Sequence, residues 1–274
     1  MISIIMPSYD PNVAKVSETV SGILTQDAEI EIILVLQHTD SSKVAALRGR
    51  LKDTRVKVID DDGVGISRSR NIGVQNSNGK WLLFLDDDIQ LEPATLKAIQ
   101  DSPEYKGEKG RFFYGNLFVI GTRDNYLNFP LTGRKVGVFS YNRVCSVMLI
   151  IEKELFHEIG PFDERMGSGT YFGAYEESDI VVKALLVGET IQYLPFYTAY
   201  HESADYEVEK VVKYARGTGA FYRKYWLQKS RLLDLKLTLD LLLRVILTLT
   251  LKKKRIFWFK GFWEGFRNFN TSNA

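Results

Sequence analysis

Residues 80–88 read KWLLFLDDD, an apolar run that ends in three consecutive carboxylates. Asn78-Gly79 directly before it is a turn signal. A short apolar run between a turn and a charged cluster suits a buried parallel strand better than a helix. Three runs of the same kind precede it: ISIIMP (2–7), EIILVL (31–36) and VKVID (56–60). Helix-like stretches lie between them at about 12–26, 41–52 and 66–77, with another after Pro93. Strands and helices alternating in this way predict an α/β fold on a doubly wound, mostly parallel sheet with flanking helices. Ligands of such sheets bind beyond the carboxyl ends of the strands. Pro7-Ser8-Tyr9, Gln37 and Asp86-Asp87-Asp88 all fall at those ends.

Downstream the alternation loosens. FFYGNLFVIG (112–121), VCSVMLII (144–151) and TIQYLP (190–195) predict strands, and GRKVGVFSYN (133–142) a loop or hairpin. EESDIVVKALLV (176–187) predicts an amphipathic helix stopped by Gly188. The expected division is a domain over 1–205, with halves 1–100 and 101–205, followed by a helical extension over 206–274.

A chain of 274 residues, 45% hydrophobic and 26% charged, is long and apolar enough to bury a large core. Cys145 is the single cysteine, so an intrachain disulfide is excluded and a reducing, cytoplasmic setting is expected. The opening MISIIMPSYD lacks the basic and long apolar regions of a signal peptide. The net charge of +2 conceals an asymmetry. From Lys210 onward 15 Lys and Arg face three acids, a balance of +12, which leaves −10 on the first 209 residues. A basic end on an acidic body predicts contact with an anionic surface.

Carboxylates clustered at a strand end are stable when a hard divalent cation neutralises them. Mg²⁺ or Mn²⁺ takes one or two carboxylates together with the oxygens of a diphosphate. A solvated acidic turn, or an N-cap for the next helix, is the alternative for the same three residues.

Three segments carry more specific information: SIIMPSYD (3–10), GISRSRNIGVQNSNGKWLLFLDDD (65–88) and IGPFDERMGSGTYFGAYEESDIVVKALLVGETIQYLP (159–195). In this order and spacing, covering most of residues 1–200, the chain resembles the family 2 glycosyltransferases. The resemblance implies a GT-A fold and transfer of a sugar from a nucleotide-sugar donor. It places Asp86 and Asp88 on the family's DxD motif, with Asp88 on the metal that bridges the donor diphosphate and Asp86 near the ribose or metal. Asp87 takes the variable middle position. Pro7, Ser8 and Tyr9 match the wall of the nucleotide base. Arg70 and Asn71 match a pair beside the diphosphate, although Arg70 is equally suited to an ion pair with Asp60, Asp61 or Asp62.

Glu177 matches the general base of an inverting transfer, which takes the proton of the acceptor hydroxyl. Glu176 and Asp179 would orient the acceptor or the loop, while acids in a first helical turn are also favoured by the helix dipole alone. Gly167, Gly169 and Gly173 suit a loop that a substrate approaches closely. His201 matches a third metal ligand; His38 and His157 are read as structural. One departure stands out: the acid usually found after the second strand is replaced within LVLQHTD (34–40), so Gln37 or Asp40 must read the base. UDP is the default nucleotide.

In 232–251, LLDLKLTLDLLLRVILTLTL, four charges interrupt the apolar run. Each costs ~2.5–3.5 kcal/mol at the centre of a membrane helix, so spanning is disfavoured. Lys236, Asp240, Arg244 and Thr248 form one polar stripe, as in a helix lying in a membrane interface, in a dimer or over a domain. KKKRIFWFKGFWEGFRNF (252–269) interleaves bases with aromatic rings, a mixture that suits an anionic membrane surface or single-stranded nucleic acid, and the resemblance favours the membrane. The resemblance implies a glycan acceptor, commonly lipid-linked, in cell-surface polysaccharide biosynthesis on the inner membrane face. A QxxRW segment and spanning helices are absent, so a single sugar addition is expected. A homo-oligomer is compatible with the sequence. The alternatives are a sugar nucleotidyltransferase, for which PSYDPNVAK is a poor phosphate loop, and a catalytically silent adaptor of the same fold.

Overall fold

The β-branched runs pair as parallel strands. In the computed structural model, which describes residues 1–107, 110–122, 124–126, 134–202, 208–227, 230–248 and 253–271, β1 (Ile2–Tyr9), β2 (Ile30–Gln37), β3 (Val56–Asp61) and β4 (Trp81–Phe84) form one half of a sheet. The helices α1 (Val13–Leu24), α2 (Ser41–Arg50) and α3 (Ile66–Gln75) connect them. Ile32 through Leu36 and Trp81 through Phe84 are at most 1% exposed, as expected of strands covered on both faces. Asn12 caps α1 by accepting from the Ala14 and Lys15 amides at 3.1 and 3.2 Å. Asp40 caps α2 by accepting from the Lys43 amide at 3.0 Å.

The other half is mixed. It contains β5 (Gln90–Leu91), α4 (Thr95–Asp101), β6 (Phe112–Val119), β7 (Leu149–Glu152), α5 (Lys153–Ile159), α6 (Glu176–Leu186) and β8 (Ile191–His201). Among the described residues the strand order is β3-β2-β1-β4-β7-β6-β8-β5, with β7 antiparallel to both β4 and β6. Chain order reverses beside β1, which opens a crevice at the carboxyl ends of β1, β2 and β4.

The structure departs from expectation in several places. Residues 144–151 are not one strand: Ser146–Met148 is a 3₁₀ turn ahead of β7. β8 runs past Pro195 to His201, with a register shift against β6 where Gly115 accommodates the ring of Tyr197. Of the expected loop or hairpin at 133–142, residue 133 lies outside the described residues, Val136 bridges Ile191, and Tyr141–Arg143 is a 3₁₀ turn. The boundary expected near 205 also lies outside the described residues.

Beyond it run α7 (Val208–Tyr225), α8 (Arg231–Thr248) and α9 (Lys253–Asn268). Gly219 and Gly265 let α7 and α9 touch backbone to backbone, since a Cβ at either would strike the other helix. Phe262 of α9 is buried there against Tyr222. On α8 the polar stripe faces the protein. Lys236 is buried, paired with Asp240 and 5.7 Å from the Tyr141 ring centre. Arg244 lies 4.4 Å from that of Trp258. No helix among the described residues is long and apolar enough to cross a membrane.

Candidate active site

Parallel register brings the predicted strand ends together. Tyr9 pairs with Gln37 across β1 and β2, and the Leu85 amide donates to the Ile5 carbonyl at 3.0 Å, so residues 86–88 run beside 7–9. The resulting cleft, about 570 Å³, is lined by Pro7, Ser8, Tyr9, Gln37, Asp86, Asp87, Asp88 and His201. Val64-Gly65-Ile66, Ser69, Ser168-Gly169 and Lys213 complete it. A second cavity of about 460 Å³ adjoins it. Ile66, Asp86, Ser168 and His201 line both, so they form the shared wall. Glu176 and Glu177 line the second cavity only.

The three aspartates differ. Asp87 accepts a hydrogen bond from the Ser8 hydroxyl; burial nevertheless holds its carboxyl above the usual range, the hydrogen bond opposing. Asp86 is also pushed up by burial, against the pull of Arg70. Its Oδ1 lies 3.5 Å from Arg70 Nη2 and is buried without a hydrogen bond. Asp88 faces the cleft, with His201 Nε2 at 3.4 Å from Oδ1 and Lys15 Nζ at 3.6 Å from Oδ2. His201 Nδ1 is 2.7 Å from the Glu202 carbonyl, an acceptor only, so Nδ1 carries the hydrogen. In the neutral ring Nε2 then turns a lone pair toward a carboxylate oxygen. That arrangement suits a cation between them, and the back-side hydrogen bond is the usual support of a metal-bound imidazole.

Arg70, 1% exposed, joins Asp86 to Glu176, whose Oε1 is 3.2 Å from Nη1, and donates to Ser146 Oγ at 2.6 Å. Its partners are therefore not Asp60, Asp61 or Asp62; Asp61 pairs with Arg68 at 2.8 Å. Asn71 does not line the cleft. It donates to the Phe162 carbonyl and Glu164 Oε1, both at 3.0 Å, and holds that loop. Gln37 lines the cleft but its amide is engaged: it donates to Asp61 at 2.8 Å and accepts from the Gly65 amide at 3.0 Å. Asp40 serves as the α2 cap. Reading a base edge from either residue would require breaking these bonds.

Glu177 is half-buried at the first turn of α6, and its carboxyl is pushed up to about 8, chiefly by burial and next by Glu176, with Arg70 opposing. Asp179 corrects the sequence expectation. It is 0% exposed and held by Lys183 at 3.0 Å, Lys224 at 2.8 Å and the Tyr225 hydroxyl at 2.7 Å. It ties α6 to α7 and does not line the cavity. The glycines 167, 169 and 173 admit the protein's own atoms. Gly167 lies against Glu176, Gly169 against Gly65, and Gly173 against the stem of Lys213, which would collide with a Cβ there.

Sequence reasoning missed His38 and Lys213. His38 stacks on Tyr9 with ring centres 5.1 Å apart and planes 8° from parallel, a platform at the cleft rim. Lys213 comes from α7, and Gly173, read from the sequence as room for a substrate, makes room for its stem. His157 sits exposed on α5, outside both cavities.

The model of the glycosyl transferase family 2 matches residues 3–110, the segment that builds β1 to β4 and the aspartates. This segment of the chain matches that family. The transferase is 28% identical over 218 residues to an uncharacterized glycosyltransferase of Haemophilus influenzae, covering 72% of this chain and 69% of the other. It is 30% identical over 122 residues to the Escherichia coli UDP-Glc:alpha-D-GlcNAc-diphosphoundecaprenol beta-1,3-glucosyltransferase WfgD, covering 44% of this chain and 47% of that one. Its fold is similar to that of S. aureus TarS 1–349 in complex with UDP-GlcNAc, with a TM-score of 0.64 and 19% identity over 95% of this chain and 79% of that one. These likenesses support glycosyl transfer over the nucleotidyltransferase alternative.

Proposed function

We propose that this glycosyltransferase moves a single sugar, with inversion, from a UDP-sugar to a hydroxyl of a lipid-linked glycan, working peripherally on the inner face of the membrane. The observation that carries this reading is the shared wall of the two cavities. The acidic cleft suits a nucleotide diphosphate and the second cavity an acceptor. Glu177 is then placed to meet the acceptor where a sugar would project past Asp86 and His201.

Tyr9 and His38 offer a stacking platform for a base, and Lys213 a cation for the phosphates. Asp88 and His201 fit a Mn²⁺ or Mg²⁺ ion, whose contribution would be to neutralise charge developing on the leaving diphosphate. Asp86, committed to Arg70, steadies this wall. Glu177 takes the proton of the acceptor hydroxyl as that oxygen bonds the anomeric carbon and the sugar–phosphate bond breaks. Its raised affinity for a proton makes it a competent acceptor once ionised. The UDP-Glc and diphosphoundecaprenol in the name of WfgD and the UDP-GlcNAc of the TarS complex support the substrate classes.

The test is hydrolysis of UDP-GlcNAc and UDP-glucose with and without Mn²⁺. Metal-dependent release of UDP, lost on Glu177→Gln with UDP affinity retained, is expected. No turnover of any nucleotide sugar in a panel would favour the silent adaptor.

A further inference from the structure

Helix α8 is amphipathic with its faces reversed. Leu233, Lys236, Leu237, Asp240, Leu241 and Arg244 recur at helical spacing and face the protein, buried or half-buried. The opposite face carries Leu232, Leu235, Leu239, Leu242, Leu243 and Ile246, each between 49 and 59% exposed. Across 18 residues, about 27 Å of helix, this is an apolar stripe turned away from the core. A folded chain rarely leaves such a stripe uncovered.

The inner face ends in the second cavity. Arg244, from α8, and Lys210, from α7, line it together with Glu177. Asp86 and Glu176, which also line this cavity, already share Arg70; Arg244 and Lys210 add further positive charge beside them, which suits an anionic group on the acceptor. One helix therefore shows apolar side chains to the exterior and a cation to the acceptor cavity.

We propose that the outer face of α8 rests on a lipid surface, and that Arg244 and Lys210 bind the phosphate group joining an acceptor's sugar to its lipid. This rests on the acceptor reading above and assigns its residues. The alternative cover for the stripe is a second copy of the chain. Charge argues for lipid: four consecutive bases, 252–255, follow the helix, within a region of net charge +12 from Lys210 onward. An anionic surface complements that charge, and a second copy would add its equal.

The test uses the full chain with saturating UDP, so that the donor cleft is filled, and farnesyl diphosphate and farnesol as probes. Farnesyl diphosphate should bind and farnesol should not, and Arg244→Gln should weaken binding about tenfold, the loss of one charge-assisted contact. Lys210→Gln should do the same. Equal affinity for the two probes, or no change in either variant, overturns the phosphate assignment. Leu239→Glu with Leu243→Glu should abolish co-sedimentation with phosphatidylglycerol vesicles while farnesyl diphosphate binding persists. Unchanged sedimentation, or a dimer that these glutamates split, overturns the lipid assignment. UDP binding, measured first, reports separately on the donor cleft: its failure would sink the transferase reading, while the Arg244→Gln and Lys210→Gln variants, whose residues line the second cavity and not that cleft, would still test the phosphate assignment.

Discussion

Glu176→Gln probes the wiring of the proposed base. Glu177 sits at about 8 because burial and the neighbouring Glu176 disfavour its charge, while Arg70 favours it. A base works only when deprotonated, so kcat/KM of the native protein should rise with pH and level off above about 8. The substitution deletes one negative charge next to Glu177 and leaves the Arg70 guanidinium, formerly 3.2 Å from Glu176, uncompensated on that side. Two charges 4 Å apart interact by about 4 kcal/mol at an effective dielectric of 20. At 1.36 kcal/mol per pH unit, and with about half of that lost to screening by the open cavity, the rising limb should move roughly 1–2 units toward acid. The assay is UDP release against pH at subsaturating nucleotide sugar, with Mn²⁺ fixed and folding checked by circular dichroism. A limb that stays in place would refute the assignment of Glu177 as the titrating base under Glu176's influence.

Removing Arg70 should be costly to folding. Arg70→Met leaves Asp86 and Glu176 without their shared cation, a loss of about 3–5 kcal/mol measurable by urea unfolding. Lys213→Ala should weaken UDP binding about tenfold by calorimetry with little change in Tm, if the lysine meets the phosphates. Glu177→Gln should raise Tm at alkaline pH relative to the native chain. In the native chain the carboxyl holds its proton up to about 8 against an ordinary value of 4.5, so stability is full below 4.5 and falls as pH rises through 8; the amide avoids that loss. Tyr225→Phe should loosen α7, read as faster amide exchange in α7 and α6, because Asp179 loses a 2.7 Å hydrogen bond.

The parallel half of the fold was legible because its strands are unbroken β-branched runs between turn signals, and caps such as Asn12 and Asp40 sit where the helices begin. The mixed half was harder. Val144 to Ile151 looks like one strand, yet Ser146 is drawn out of register by its bond to Arg70, a partner 76 positions away. β8 seemed to stop at Pro195, but that residue lies at the irregularity Gly115 makes in β6. On α8 the periodicity revealed a polar stripe without saying which way it faced; the orientation is decided by Tyr141, far away in sequence, and by Trp258 on the following helix. At the site the acids and His201 could be read from their places at strand ends and a helix start. Their wiring could not. Arg68 takes the ion pair open to Arg70, Gln37 spends its amide on Asp61 and Gly65, and Asp179 is consumed by α7. Each outcome depends on which charge reaches a buried carboxylate first in three dimensions, and local sequence carries no record of that.

The proposed transfer needs a cation and a nucleotide to meet at the ends of β1 and β4. Anomalous scattering from a crystal grown with Mn²⁺ and UDP tests it directly. A manganese peak between Asp88 and His201 Nε2, touching the diphosphate, with the uracil near Tyr9 and His38, is the predicted result. A nucleotide bound outside this cleft, or a peak among Asp60, Asp61 and Asp62 instead, would contradict it.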